Sequence, residues 1–519
     1  MWYLLRRTAQ YLIRMILCVL IGIILLALIA RLSYRPLPEL QLEKTAVSSH
    51  HAPSALADVI SLEAQEHPQL SAIYPFSDGL DAFAARLALV NEAERSLDLQ
   101  YYIWHDDMAG LLLFDAVYKA AQRGVQVRLL LDDNNTLGLD GLLLSLDAHP
   151  NIEVRLFNPF MQRNHRVLAY LSDFMRLNRR MHNKSFTVDA ALSIVGGRNI
   201  GDEYFNAGEG ISFVDMDVAV IGEVVGDIQA DFERYWHSRS AYPLSLIIPK
   251  YTAAQPIQKP KDSNTQKYRA RLQSSHFVQH LEARDLPFIW GKAQFLSDHP
   301  DKVLGKNQYE NSVFSGLVSL FSEAQENLLL VSPYFVPTES GVQWLSDLHA
   351  RGVQIEILTN SLTATDVSPV HAGYAKYRKP MLKIGFSLYE LKPGATFEKI
   401  ESKGNAFTRL NATHSASLHA KTFVIDNKKL FVGSFNFDPR SVELNTEMGL
   451  IFEQAQLTRE FRSRVAQHLP AIAYQIKLNE EKQLEWHGRT AVHYQEPDAT
   501  WWKRASVVVL GWLPIEWLL

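Results

Sequence analysis

The chain repeats itself once, and the repeat limits what it can fold into. Residues 91–128 (NEAERSLDLQYYIWHDDMAGLLLFDAVYKAAQRGVQVR) and 322–356 (SEAQENLLLVSPYFVPTESGVQWLSDLHARGVQIE) both open on a polar residue followed by Glu-Ala. Each continues into a strand-like apolar run, Leu97–Trp104 and Leu328–Val336. An amphipathic pattern follows and ends in Arg-Gly-Val-Gln, at Arg123–Gln126 and Arg351–Gln354. A further apolar run comes next, Val127–Leu131 and Ile355–Leu358. This is strand, helix, strand, with glycine just past the helix. Such units build parallel strand pairs covered by helices, so the duplication predicts two α/β lobes.

The same duplication carries the chemistry. Of eighteen histidines, only His182 and His419 are followed two residues later by lysine, Lys184 and Lys421. Each lysine is followed five positions on by aspartate, Asp189 and Asp426, and each histidine seventeen positions on by asparagine, Asn199 and Asn436. The intervening residues match as well: SFTVD against TFVID, and VGGRN against VGSFN. A single H-x-K-x-x-x-x-D is a weak signal; two copies, one per repeat, are a strong one.

On an extended strand, alternate side chains share a face, so His182 and Lys184 point together, as do His419 and Lys421. Gly196-Gly197 and Gly433-Ser434 mark tight turns where backbone can approach a ligand. Two histidines, two lysines and two asparagines are expected to converge across a pseudo-twofold interface. That set suits phosphoryl chemistry. One imidazole attacks phosphorus, the other protonates the leaving alcohol and activates the incoming one, and lysines and asparagines hold the non-bridging oxygens. No metal or cofactor is expected. Asp189 and Asp426 complete the motif, but they sit on the odd-offset face, and their expected role is to bond backbone at the turn.

These residues resemble the phospholipase D superfamily. YYIWHDDMAGLLLFDAV (101–117), RGVQVRLLLDDNNTLGLD (123–140), NRRMHNKSFTVD (178–189), GGRNIGDEYF (196–205) and GSFNFDPRSVELNTEMG (433–449) are similar, more narrowly, to bacterial cardiolipin synthases of the C type. The resemblance spans roughly residues 55–475 and the final LPIEWLL. It implies two lobes, each a mixed sheet flanked by helices, sharing one active site, with ping-pong reaction through phosphohistidine. His182 is then the expected nucleophile and His419 the acid/base. An acidic residue downstream of each motif orients a histidine: Glu447 in NTEMG, and Asp215 in FVDMDV with Asp217 as the alternative. Gly197, Arg198, Gly433 and Ser434 are the expected substrate-binding residues. Arg198, where the second motif has Phe435, reads equally as a phosphate ligand or as the partner of a carboxylate. The implied activity is phosphatidyl transfer to phosphatidylglycerol, with phosphatidylethanolamine as donor. A hydrolytic phospholipase D shares every catalytic residue and is the nearest alternative, ahead of a nuclease of the same superfamily.

Composition supports exclusions more than assignments. Net charge is −4, which gives no basic field for nucleic acid. The one cysteine, Cys18, rules out an internal disulfide and a cysteine zinc cage, and no P-loop is present. Membrane and phospholipids are the expected partners; no helper protein is legible.

Met15 to Ala30 is an uncharged apolar run, with Arg6, Arg7 and Arg14 before it and Arg31 and Arg35 after it. Counting 11–32, the stretch is long enough for a single anchor in a bacterial inner membrane. A cleaved signal peptide competes but lacks an A-x-A site. Residues 33–53 read as a linker, 54–250 as the first lobe, 251–285 as an interlobe linker and 286–480 as the second lobe. Residues 481–519, with Trp501, Trp502, Trp512 and Trp517, read either as a membrane-interfacial segment or as a segment packed on the core. Arg163, Arg166, Arg176, Arg179 and Arg180, among Phe160, Tyr170 and Phe174, read either as a headgroup approach or as a solvated helix face. Tyr101, Tyr102 and Trp104 are expected to divide between core and pocket wall, Tyr334 to face the site, and His105, Asp106 and Asp107 to form a loop.

Overall fold

The computed structural model describes residues 2–40, 54–205, 211–257, 262–306, 309–395 and 415–519. Residues 41–53 of the expected first linker lie outside the described residues.

Both repeats form the predicted strand–helix–strand unit, and the rest of each half adds antiparallel strands to it. In the first half, Ser96–Ile103 pairs in parallel with Gln126–Asn135, which pairs in parallel with Ile152–Phe157. On its other edge Ser96–Ile103 takes Ser185–Val188 antiparallel, followed by Leu192–Gly196, Asp217–Gly222 and Ser71–Phe76. The second half repeats this order. Ser387–Leu391, Gln354–Asn360 and Asn327–Val331 run in parallel, and Lys421–Ile425, Lys429–Gly433, Met448–Glu453 and Ile289–Ser297 follow antiparallel. Ile289–Ser297 also pairs with Ser71–Ile73, so the two mixed sheets join edge to edge.

Burial explains the strand composition. Phe186, Val188, Phe423 and Ile425 are fully or almost fully buried, as strands covered on both faces require. One apolar cluster fills the first half around Phe83, Leu99, Phe114 and Leu143, and another fills the second around Leu330, Leu345, Ile357 and Phe423. A third draws Val195, Val218 and Val220 from the first half and Leu329, Val424 and Val432 from the second. The halves therefore share a core, which fixes the strands that carry the two motifs against each other.

The 251–285 stretch is helical over Asp262–Ser274 and His276–Ala283, and Tyr268 and Phe277 are buried in the first core. Trp2–Ser33 forms one helix that packs against Arg166–Leu177. The described side chains from Leu17 to Ile29 are mostly exposed. Among the described residues no helix is long and apolar enough to cross a membrane. At the C-terminus, Trp501–Gly511 packs on Ser368–Ala375 through Val507, while Trp501, Trp502, Trp512 and Trp517 stay exposed.

Candidate active site

The motif aspartates act at the strand ends. Asp189-Ala190 and Asp426-Asn427 both have positive φ, which turns each motif strand back on its neighbour. The Asp189 carboxylate accepts the N–H groups of Glu94, Arg95 and Ser96, and Asp426 accepts those of Gln325, Glu326 and Asn327. Each aspartate thus ties the motif turn to the start of the central strand. Although they complete the motif, their contacts are with backbone, in the role expected from their offset on the strand.

The two histidines are brought together by a backbone exchange between the halves. Met181 bridges Thr446 in parallel, and His182 N–H donates to Thr446 O at 2.9 Å. In the same way Ser415–Leu418 pairs with Ile211–Val214, and His419 N–H donates to Val214 O at 2.8 Å. Each histidine therefore lies beside the acidic residue of the other half. His182 Nδ1 is 2.8 Å from Glu447 Oε2, and His419 Nδ1 is 2.5 Å from Asp215 Oδ2. A carboxylate at Nδ1 directs that proton and leaves Nε2 for chemistry. Asp217, the alternative to Asp215, is instead paired with Arg86 at 2.8 Å. This crossed pairing was not legible in the motif.

Lys184 Nζ donates to His182 O at 2.6 Å, and Lys421 Nζ donates to His419 O and stands 3.1 Å from His419 Nε2. Asn199 Oδ1 accepts from Ile103 N, while Asn199 Nδ2 and Asn436 Oδ1 are buried without a hydrogen-bond partner among the described residues. The two lysine ammonium groups and Asn199 Nδ2 are donors suited to the oxygens of a phosphodiester.

The surroundings of the two carboxylates differ. Ser434 Oγ donates to Glu447 Oε2 at 2.5 Å and Ser441 Oγ to Oε1 at 2.9 Å. Glu447 N–H donates to Asp298 Oδ2, which also receives Lys302 Nζ. Around Asp215, Gly197 replaces the serine: a Cβ there would meet Asp215 Oδ1 at 2.2 Å. Gly433 likewise lies against backbone, with Met448 O at 2.4 Å from a Cβ. Ser434 and Gly197 thus shape the carboxylates, a role the reading as substrate contacts did not anticipate.

Arg198 is turned inward. Its guanidinium donates to the carbonyls of Tyr204, Phe76, Ser77 and Asp215 and lies 3.5 Å from Asp217. All three guanidinium nitrogens are engaged, chiefly by backbone carbonyls, which leaves little for a substrate phosphate. The basic stretch before His182 is also largely internal. Arg180 is paired with Asp132, Arg163 with Asp133 and Asp140, and Arg176 with Asp173. What the helix Arg166–Leu177 exposes is apolar: Val167, Leu171, Phe174 and Met175.

Aromatic rings line the histidines. Tyr102 meets His182 edge-on at 5.0 Å, whereas Tyr101 and Trp104 are buried in the core. Tyr204 and Phe213 stand 5.2 and 4.9 Å from His419. Neither was singled out from sequence; Tyr204 lies five residues beyond the motif asparagine, which was the available signal. His105, Asp107 and Glu203 cluster together, and Asp107 caps the helix Met108–Gln122.

Burial shapes the protonation states. It pushes His182 well below its ordinary value, helped by Lys184, Lys421 and His419, and lowers His419 less strongly, helped by Lys421. Burial drives Lys184 well down and brings Lys421 to about 8. Burial pushes Glu447 up to about 7. Burial acts upward on Asp215 too, but His419 and then Lys421 outweigh it and hold the carboxyl below the usual range.

Comparison with known proteins matches this arrangement. A family model described as "Cardiolipin synthase, PLD-like domain" matches residues 87–236 and 317–469, one match in each half. Cardiolipin synthase C of Escherichia coli is 48% identical over 475 residues, covering 89% of this chain and 99% of the relative. The major cardiolipin synthase ClsA of Bacillus subtilis is 25% identical over 394 residues, covering 76% and 68%. Among solved structures, a phosphatidylserine synthase from Haemophilus influenzae superposes with a TM-score of 0.53 at 14% identity, covering 81% of this chain and 91% of that one. That likeness bears on fold alone.

Proposed function

Since the chain belongs to the family of cardiolipin synthases with phospholipase D-like domains, we propose that it is a phosphatidyltransferase that makes cardiolipin. The observation that carries the reading is the crossed pair of histidine–carboxylate contacts, His182–Glu447 and His419–Asp215, which only both halves together can form. Two positioned imidazoles, with His182 held neutral more strongly than His419, suit double displacement at phosphorus.

In the first step His182 Nε2 attacks the phosphorus of a donor phospholipid, phosphatidylethanolamine. The P–O bond to the headgroup breaks, and His419 gives its proton to the departing oxygen. In the second step His419 takes the proton from a hydroxyl of phosphatidylglycerol. That oxygen displaces His182, which releases cardiolipin and restores both histidines. Lys184 and Lys421 hold the non-bridging oxygens. Their lowered proton affinity means that a bound phosphodiester supplies the negative charge that keeps them ammonium. Asn199 Nδ2 donates to the same group.

We further propose that residues 11–32 anchor the chain in the membrane and that the lobes are related by a pseudo-twofold through the site. The exposed Leu171, Phe174 and Met175 and the exposed Trp501, Trp502, Trp512 and Trp517 then rest at the lipid interface, where apolar and aromatic side chains are favoured. The test is a lipid assay on purified protein in mixed micelles. Cardiolipin that rises with phosphatidylethanolamine, with ethanolamine released, is the expected result. Phosphatidic acid as sole product identifies a hydrolase instead.

A further inference from the structure

At the strand end that meets the residue after the motif asparagine Asn436 lies a carboxylate that the reaction does not use. Tyr334 follows the strand Asn327–Val331, and its hydroxyl donates to Asp366 Oδ2 at 2.7 Å. Asp366 is exposed. The repeat has no counterpart to this pair. Trp104 bridges Ile200 and Phe335 bridges Phe437, each partner being the residue after a motif asparagine, so Tyr334 matches Ile103. A phenol stands in the second half where the first has an alkyl side chain.

The pair belongs to the His419 side. Asp366 is among the charges that act on Lys421, and Tyr204 and Tyr102 act on Tyr334 together with Asp366. Tyr204 also faces the His419 ring. A carboxylate here repels phosphate and gives an uncharged glycerol headgroup only a hydrogen-bond acceptor for its hydroxyls, without a charge to match. It attracts a cation, and neighbouring tyrosine faces add to that attraction. In the proposed reaction His419 protonates the departing oxygen, so the headgroup leaves on this side. In phosphatidylethanolamine an ammonium sits two carbons from that oxygen.

We propose that Asp366, held by the Tyr334 hydroxyl, recognises the ammonium of the donor headgroup and sets donor specificity. The inference rests on the phosphatidyl-transfer reading. Its test uses the full chain in mixed micelles and follows headgroup release, whichever acceptor completes the reaction. Wild type, Asp366→Asn, Asp366→Glu and Tyr334→Phe are compared with phosphatidylethanolamine and with phosphatidylglycerol as donor. In Asp366→Asn the ratio of kcat/KM for the amine donor to that for phosphatidylglycerol falls roughly tenfold or more, mainly through KM, as loss of a charged hydrogen-bond partner implies. Asp366→Glu keeps most of the ratio, and Tyr334→Phe lowers it less. Equal losses on both donors, or a wild type without preference for the amine donor, overturn the proposal. If phosphatidic acid replaces cardiolipin, the transfer reading fails, yet the same ratio still decides the role of Asp366.

Discussion

His182 and His419 are held by the same backbone device but by different carboxyl groups. On the Glu447 side two serine hydroxyls and a backbone bond to Asp298 surround a carboxyl raised to about 7 by burial. On the Asp215 side a glycine leaves room for a shorter carboxylate that stays charged against His419. The two half-sites repeat one plan but differ in Ser434–Glu447 against Gly197–Asp215. In the proposed mechanism the more strongly neutral His182 is the nucleophile, and His419 has a charged partner in Asp215 to stabilise its imidazolium.

The largest test of this division is removal of either imidazole. His182→Ala and His419→Ala each lower turnover by about a thousandfold or more while melting temperature holds, and the double variant is no worse than the singles, because the residues act as a unit. Substantial activity in one single variant contradicts a shared site.

Next come the residues that shape the carboxylates. Gly197→Ala pushes a methyl into Asp215, and kcat falls roughly tenfold to a hundredfold through misplacement of His419. Ser434→Ala removes one donor to Glu447 and creates no clash, so its loss is about tenfold or less. Equal effects would erase the distinction between the halves.

The pH dependence sharpens the comparison further. Below about 7 Glu447 takes up a proton and loses the charge that holds the His182 Nδ1 proton, so kcat/KM falls toward acid. Glu447→Gln lowers activity and removes this ionisation, whereas Asp215→Asn lowers activity and leaves it in place. The stability effect has a definite sign. The folded chain retains the Glu447 proton between 4.5 and about 7, where the unfolded chain has lost it, so this contribution weakens as pH rises through that window. Melting curves of wild type and Glu447→Gln across the window measure it. The smallest effect is expected for Ser441→Ala, a few-fold on kcat, since Ser434 still donates to the carboxyl.

The strand–helix–strand units and the motif strands were readable because both depend on local periodicity and spacing. The backbone role of Asp189 and Asp426 followed from their offset on the strand. The crossed pairing was not readable: Glu447 lies 265 positions from His182, and no local pattern reports which half an acid will face. Arg198 misled because an arginine beside a motif turn gives no sign of the carbonyls that surround it. The arginines before His182 misled similarly, since Asp132 and Asp133, which neutralise them, come from a distant strand. Tyr204, Phe213 and Asp366 reach the site from loops and strand ends, where sequence carries little directional information.

The most direct test of the central claim is to trap the covalent intermediate. Protein mixed with phosphatidylethanolamine and no phosphatidylglycerol is acid-sparingly quenched, digested and read by mass. A phosphatidyl adduct on the peptide carrying His182, absent from His182→Ala, is the predicted result. An adduct on His419, or on neither histidine while headgroup is still released, contradicts the account.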